Sequence, residues 1–256
     1  MKESKIEWTE ATWNPLRGCT RVSEGCRFCY AERVADRFSG AGQPYEGLTT
    51  RGKDGRPRWN NEIMLVPHML KKPLSWKQPR RIFVNSMSDL FHEKVPFDYI
   101  QQVFDVMQQA NWHEFQILTK RAERLADLAP QLEWTDNIWM GVSIEDARVV
   151  DRADALRTVP SAIRFLSLEP LIGPIPDLNL EGLDWAIIGG ESGNQARIME
   201  PEWAVDLLNQ CKRANVPCFI KQMGTQWAKR CGSTSWKGEA FNEFPEALQV
   251  REYPIT

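Results

Sequence analysis

From Arg81 onward the chain alternates short, mostly apolar runs with amphipathic stretches. The runs are Ile82–Val84, Phe115–Leu118, Ile138–Val142, Ile163–Leu166, Trp185–Ile188 and Cys218–Ile220. They are rich in β-branched or aromatic side chains and too short for buried helices, so they predict strands covered on both faces. Between them lie patterns of helical period: Phe97, Ile100, Phe104 and Met107 share one face, and Trp203, Leu207 and Cys211 share another. Buried strands alternating with helices predict an α/β fold of parallel β/α units. With a further strand in the extended opening segment Ile6–Pro15, the pattern fits a partial or complete TIM-like β/α barrel of about six to eight strands. An open doubly wound sheet is the alternative.

The rest of the chain is read around that frame as one domain over residues 1–256. Tyr30–Phe38 predicts a helix with Ala31, Val34, Ala35 and Phe38 on one side. Residues 39–61, rich in Gly, Arg and Asn, predict a long loop, part of a basic insertion over about 39–81. From about Thr225 to the end, Trp227, Trp236, Phe241 and Phe244 are spread among Gly, Ser and charges, which predicts a C-terminal cover.

Every apolar run passes directly into a polar cluster. In β/α barrels the reactive groups sit at the carboxyl ends of the strands. The clusters at that position are Ser86, Ser88 and Asp89; Thr119 and Lys120; Ser143 and Glu145; Ser167 and Glu169; Glu191 and Ser192; and Lys221 and Gln222. Any one could be a helix cap. Together they predict a polar site open to solvent. Gly189–Gly193 would let the backbone approach a ligand and offer amide donors to an anion.

Composition narrows the class. The 256 residues are 42% hydrophobic and 26% charged, ordinary for a globular enzyme. No apolar run approaches the roughly 18 residues of a membrane span, and Met1–Glu7 has no signal-peptide core. A cytoplasmic protein with no membrane partner is expected. The net charge of −2 argues against a coat for nucleic acid. Residues 51–81 nevertheless carry nine Lys and Arg against Asp54 and Glu62, with Trp59 and Trp76 among them. Such a segment can hold phosphates and stack bases, or can simply be a solvated loop.

The densest chemistry is Gly18–Tyr30, which holds half of the six cysteines. Cys26 and Cys29 can aim both sulfurs at one centre from a single turn, and Cys19 can fold back across Gly25 to add a third. Three converging thiolates are metal ligands. A disulfide fits poorly in a chain without a secretory segment. Zinc needs a fourth ligand, and Cys211, Cys218, Cys231, His68, His92 and His113 show no partner spacing. A three-cysteine iron–sulfur cluster with one open iron is favoured.

A three-cysteine loop after the first strand of a β/α barrel resembles the radical S-adenosylmethionine (SAM) enzymes. More narrowly, the chain is similar to a phage-associated family with a three-cysteine motif. The likeness rests on Trp8-Thr9, Thr12–Pro15, Gly18-Cys19, Gly25-Cys26, Cys29–Glu32, Gly141–Ser143, Leu168–Pro170, Gly189–Gly193 and Lys221-Gln222. The superfamily's usual cysteine spacing is three residues then two; here it is six then two. Its Gly-Gly-Glu after the second strand is replaced by Asn85–Asp89.

The resemblance implies that Cys19, Cys26 and Cys29 hold three irons of a [4Fe-4S] cluster and that SAM chelates the fourth. An external electron donor would then drive SAM cleavage to a 5′-deoxyadenosyl radical. It implies Phe28, Tyr30, Ser86, Ser88, Asp89, Ser143 and Glu145 as cofactor-binding residues, and Lys120, Glu169, Glu191 and Lys221 on the substrate side. A nucleic acid, nucleotide or modified base is the expected substrate, and a companion protein a possible partner. The competing reading is a zinc-stabilised nucleic-acid-binding protein without catalysis; a protein that only transfers electrons is a third.

Overall fold

The computed structural model describes Ser4 and residues 6–255. Met1, Lys2, Glu3, Lys5 and Thr256 lie outside the described residues, and with them part of the terminal stretches Met1–Glu7 and Tyr253–Thr256. The chain forms two compact units, one of residues 1–139 with 160–162 and one of residues 140–159 with 163–256.

The first unit contains β1 (Ala11–Trp13), β2 (Leu16–Arg17), α1 (Tyr30–Arg37), β3 (Thr49–Arg51), β4 (Pro57–Trp59), β5 (Met64–Leu65), α2 (Pro67–Leu70), β6 (Arg81–Val84), α3 (Phe97–Gln109), β7 (Glu114–Thr119) and α4 (Ala122–Leu128). Strands β1, β6 and β7 are parallel neighbours in that order, with Trp13 opposite Val84 and Val84 opposite Ile117. One face is built from Trp13, Ile82, Val84, Phe115 and Ile117, all buried. Trp13 and Phe115 meet at 5.8 Å between ring centroids. Helix α3 buries Tyr99, Ile100, Val103, Phe104 and Met107, the i, i+3, i+4, i+7 stripe expected of an amphipathic helix.

The predicted long loop is partly ordered as a hairpin. β3 pairs antiparallel with β4, and β2 with β5. These strands are two or three residues long and consist largely of Thr, Arg and Pro, which hides them from any hydrophobic pattern. Trp59 and Trp76 are both buried. Trp59 joins Ala31, Ala35, Leu48 and Met87 in a small core, and Trp76 packs on His113. Neither ring is a free platform for a base.

The strand β8 (Ile138–Ser143) runs from the first unit into the second, which adds α5 (Arg152–Arg157), β9 (Arg164–Leu168), β10 (Trp185–Gly189), α6 (Pro201–Ala214), β11 (Cys218–Gln222) and α7 (Thr225–Cys231). β8, β9, β10 and β11 are again parallel neighbours in sequence order. Phe165, Trp185 and Phe219 form its aromatic core, with centroids 5.8 and 6.1 Å apart. Helix α6 ends where Asn215 turns left-handed (φ 55°) and its N–H closes on the carbonyls of Cys211 and Lys212. The C-terminal segment lies along the open edge of β11: Ile220 N–H donates to Val250 and Glu252 N–H to Cys218. Both units are thus parallel β/α structures, as the alternation of runs predicts. No helix among the described residues is long and apolar enough to cross a membrane.

Candidate functional site

The cysteine loop belongs to the first unit. It follows β2 rather than leaving β1 directly, and Gly18 bridges to Ser88 beyond the end of β6. Gly18 turns the chain: its φ is +91°, and a Cβ there would lie 2.2 Å from the Glu62 carbonyl oxygen. Gly25, expected as the hinge, sits in a right-handed turn over Glu24–Cys26, closed by Cys26 N–H on Ser23 and Arg27 N–H on Glu24. Cys29 then starts α1, which carries Ala31 and Ala35 into the small core against which Cys19 and Cys29 also pack.

Two arginines clamp the loop. Arg21 makes a two-pronged ion pair with Glu32 (2.9 and 2.5 Å), a buried carboxylate on α1 that also accepts from Trp59 N–H. Arg121, just past the end of β7 and 4% exposed at the side chain, grips the other arm. It donates to Asp89 at 3.0 Å, to Glu93 at 2.9 Å, and to the Thr20 carbonyl and hydroxyl at 3.2 and 2.5 Å. Its Nη1 lies 3.9 Å from Cys19 Sγ. Asp89 also accepts from Thr119 Oγ1 and from the backbone of Phe91 and Lys120. His92 completes the network. Its Nδ1 accepts from Lys94 N–H, so Nε2 carries the proton and donates to Thr20 Oγ1 at 3.0 Å.

The thiols sense one another. Burial, then the Asp89 carboxylate, raises the Cys19 thiol well above its ordinary range; Arg121 works against them, and Cys29 and Cys26 add to the rise. Cys29 is pushed up to about 11, first by burial and then by Cys26. A soft metal must therefore displace protons that this pocket favours keeping. Among the described residues no three His, Cys, Asp or Glu side chains are close enough to grip one ion. Zn–S bonds of about 2.3 Å require sulfurs about 3.8 Å apart. Soft thiol donors flanked by two guanidiniums fit an anionic, thiolate-held metal centre, and Cys19 and Cys29 rest on the apolar floor.

The other expected residues of this unit serve the same scaffold. Ser86 pairs with Asn14 at 3.3 Å, and its carbonyl accepts from the exposed Tyr30 hydroxyl. Ser88 Oγ donates to Leu16. The guanidiniums of Arg27 and Arg56 both approach the Phe28 ring, at 5.4 and 5.2 Å from its centre. Lys120 is half-buried at the end of β7.

The remaining residues lie in the second unit. Glu145 is buried and paired with Arg152 at 3.1 Å, and Arg152 also donates to the Ser143 carbonyl at 2.6 Å. Glu191 is gripped by Arg197 at 2.6 Å. Glu169, on the residue after β9, pairs with Lys221 of β11 at 2.6 Å, with both side chains partly exposed. Gly190 provides close packing rather than a ligand cradle, since a Cβ there would meet the Met223 carbonyl oxygen at 2.3 Å. Pattern reading missed Arg121, Arg152, Arg197 and Glu32. Arg121 had a signal, a charge beside Thr119-Lys120 at a strand end.

Fold and loop together define a parallel β/α protein with a clamped three-cysteine loop. Residues 3–245 match the family described as "Protein of unknown function (DUF5131)", and the chain belongs to that family. No curated protein and no solved structure matches it.

Proposed function

We propose that this chain is a radical SAM-type enzyme of β/α-barrel type, with a [4Fe-4S] cluster held by Cys19, Cys26 and Cys29. The observation that carries the reading is the clamped loop: three thiols on one short loop, those of Cys19 and Cys29 on an apolar floor, with Arg21 and Arg121 holding the loop. Cluster and SAM together would supply one-electron cleavage of the sulfonium bond and hydrogen abstraction from substrate. The chain's own residues do the positioning. Arg121 holds the Cys19 arm through Thr20, and the Arg21–Glu32 pair ties the same loop to α1. Both cations offset the negative charge that three thiolates would gather. Asp89 keeps Arg121 aimed. In the second unit the Glu169–Lys221 pair joins a carboxylate to an ammonium, a pair able to pass a proton.

A nucleic acid, nucleotide or modified base is the proposed substrate. The exposed Arg51, Lys71, Lys72 and Lys77 and the half-buried Arg56 and Arg58 offer phosphate contacts, although Arg51 already pairs with Asp36, and Arg56 and Arg58 with Asp54. The test is anaerobic iron and sulfide reconstitution of the wild type and of C19S, C26S and C29S. About four irons per chain with absorption near about 400 nm is expected, and each single serine variant should lose most of both. A colourless wild type holding one zinc overturns the proposal in favour of a non-catalytic zinc protein.

A further inference from the structure

The second unit holds a pair of cysteines outside every role given so far. Cys211 lies in the last turn of α6, and Cys218 opens β11. The chain reverses between them: Asn215 is left-handed, and Val216 N–H returns to the Cys211 carbonyl at 3.0 Å. Across that reversal the two thiols are in hydrogen-bond contact with one another. Both residues are 1% exposed, and both thiols are free.

The same two cysteines line a cavity of about 440 Å³. Its apolar lining includes Ile163, Leu183, Leu208 and Val216. Ile255, in the same lining, is 95% exposed, so the cavity opens to solvent. A small molecule thus has a route to a pair that the outer surface hides. Among the described residues no three His, Cys, Asp or Glu side chains could grip one ion, which leaves the pair without a third metal ligand. Two thiols in contact with no third donor have chemistry with each other. Side-chain contact is the arrangement a disulfide needs, since a bond of about 2 Å then forms without carrying the backbone far.

The two sulfurs are not equivalent. The Glu252 carboxylate accepts from Cys218 N–H at 3.1 Å and so lies beside that residue. The Cys218 thiol keeps its proton and donates it to the Cys211 sulfur. That contact is the largest influence on both: it lowers Cys211 against the effect of burial and, together with burial, raises Cys218. Cys211 is therefore the better nucleophile.

We infer that Cys211 and Cys218 form a dithiol site that reacts with small-molecule disulfides entering this cavity and closes to a Cys211–Cys218 disulfide. The Cys211 sulfur attacks one sulfur of the reagent, forms a mixed disulfide and expels one half as a thiol. The Cys218 sulfur then attacks Cys211, the bond forms between the two cysteines, and the second half leaves as a thiol. The two protein S–H protons end on the two departing thiols, so two cysteines are oxidised and one disulfide is reduced. The link ties the end of α6 to the start of β11, the strand that carries Lys221. It needs no iron and goes beyond the proposed function.

The test incubates the metal-free full chain with hydroxyethyl disulfide under native conditions. Free thiols are then blocked with N-ethylmaleimide in urea, and the chain is digested with trypsin. Cleavage after Arg197, Lys212, Arg213 and Lys221 puts the two cysteines on separate peptides, Ile198–Lys212 and Ala214–Lys221. Mass spectrometry should find these joined, with the loss of two hydrogens, and separated again by dithiothreitol. C218S should keep a hydroxyethyl adduct on Cys211, whereas Cys218 in C211S should react at least about tenfold more slowly. Recovery of both cysteines as maleimide adducts while exposed Cys231 is oxidised overturns the inference. So does a link that forms only in the urea-unfolded chain, or equal reaction of Cys211 in C218S and Cys218 in C211S. The wild-type peptide map decides the matter even where a variant fails to fold.

Discussion

Replacing Arg121 by methionine separates the loop clamp from the loop itself. The side chain is 4% exposed and its partner carboxylate on Asp89 is 8% exposed. Removing one member of a buried pair costs about 3–5 kcal/mol, because the other charge stays buried. Here Asp89 keeps Thr119 Oγ1 at 2.7 Å, Phe91 N–H at 3.0 Å and Lys120 N–H at 3.3 Å. Those donors hold the loss to the lower end, about 3 kcal/mol. Glu93, 61% exposed at the side chain, returns to water and adds little. Urea unfolding followed by tryptophan fluorescence reads the loss. In a D89N background the same substitution should cost at least about 1 kcal/mol less, since no charge is stranded. A loss under about 1 kcal/mol, or additivity of the two changes within about 0.5 kcal/mol, refutes the clamp.

Three further outcomes follow from the packing and the thiols. G18A forces a Cβ against the Glu62 carbonyl at positive φ; it should destabilise by about 1–3 kcal/mol and lower iron uptake, and unchanged values in both would remove Gly18 as the turn. G141A drives a methyl to 2.4 Å from the Phe165 ring, with an expected loss of about 1–3 kcal/mol that G141A/F165L recovers in part, read by the same urea melt. In the metal-free protein, iodoacetamide at pH 8 should modify exposed Cys231 well before Cys19 and Cys29, as mass spectrometry of the peptides reports. The folded state keeps the Cys29 proton more tightly than the unfolded chain does. Its contribution to stability is therefore complete below the ordinary value near 9 and fades as pH rises through about 11.

The strands were legible because a buried parallel strand needs a mostly apolar run, and Ile82–Val84 through Cys218–Ile220 have one each, interrupted by Gln116 and Arg164 alone among polar residues. α1 and α3 were legible from their stripes for the same reason. The hairpin of Thr49–Trp59 was not, since short solvent-facing strands of Thr, Arg and Pro carry no period. Trp59 and Trp76 read as exposed by virtue of their basic neighbours, whereas hydrophobicity sends each ring inward and leaves the charges outside. The cysteine loop was visible from spacing alone. Its clamp was not, because Arg121 reaches Thr20, and Glu32 reaches Arg21, only when β7 and α1 are brought to the loop, and a lone charge at a strand end looks solvated. Cys211 and Cys218 were equally hidden: they meet only because the chain reverses at Asn215.

The central claim is tested most directly by incubating the anaerobically reconstituted wild type with SAM and dithionite and quantifying 5′-deoxyadenosine. The account predicts 5′-deoxyadenosine and methionine in amounts that follow iron content, with none from C26S. A wild type carrying about four irons that leaves SAM intact would contradict it.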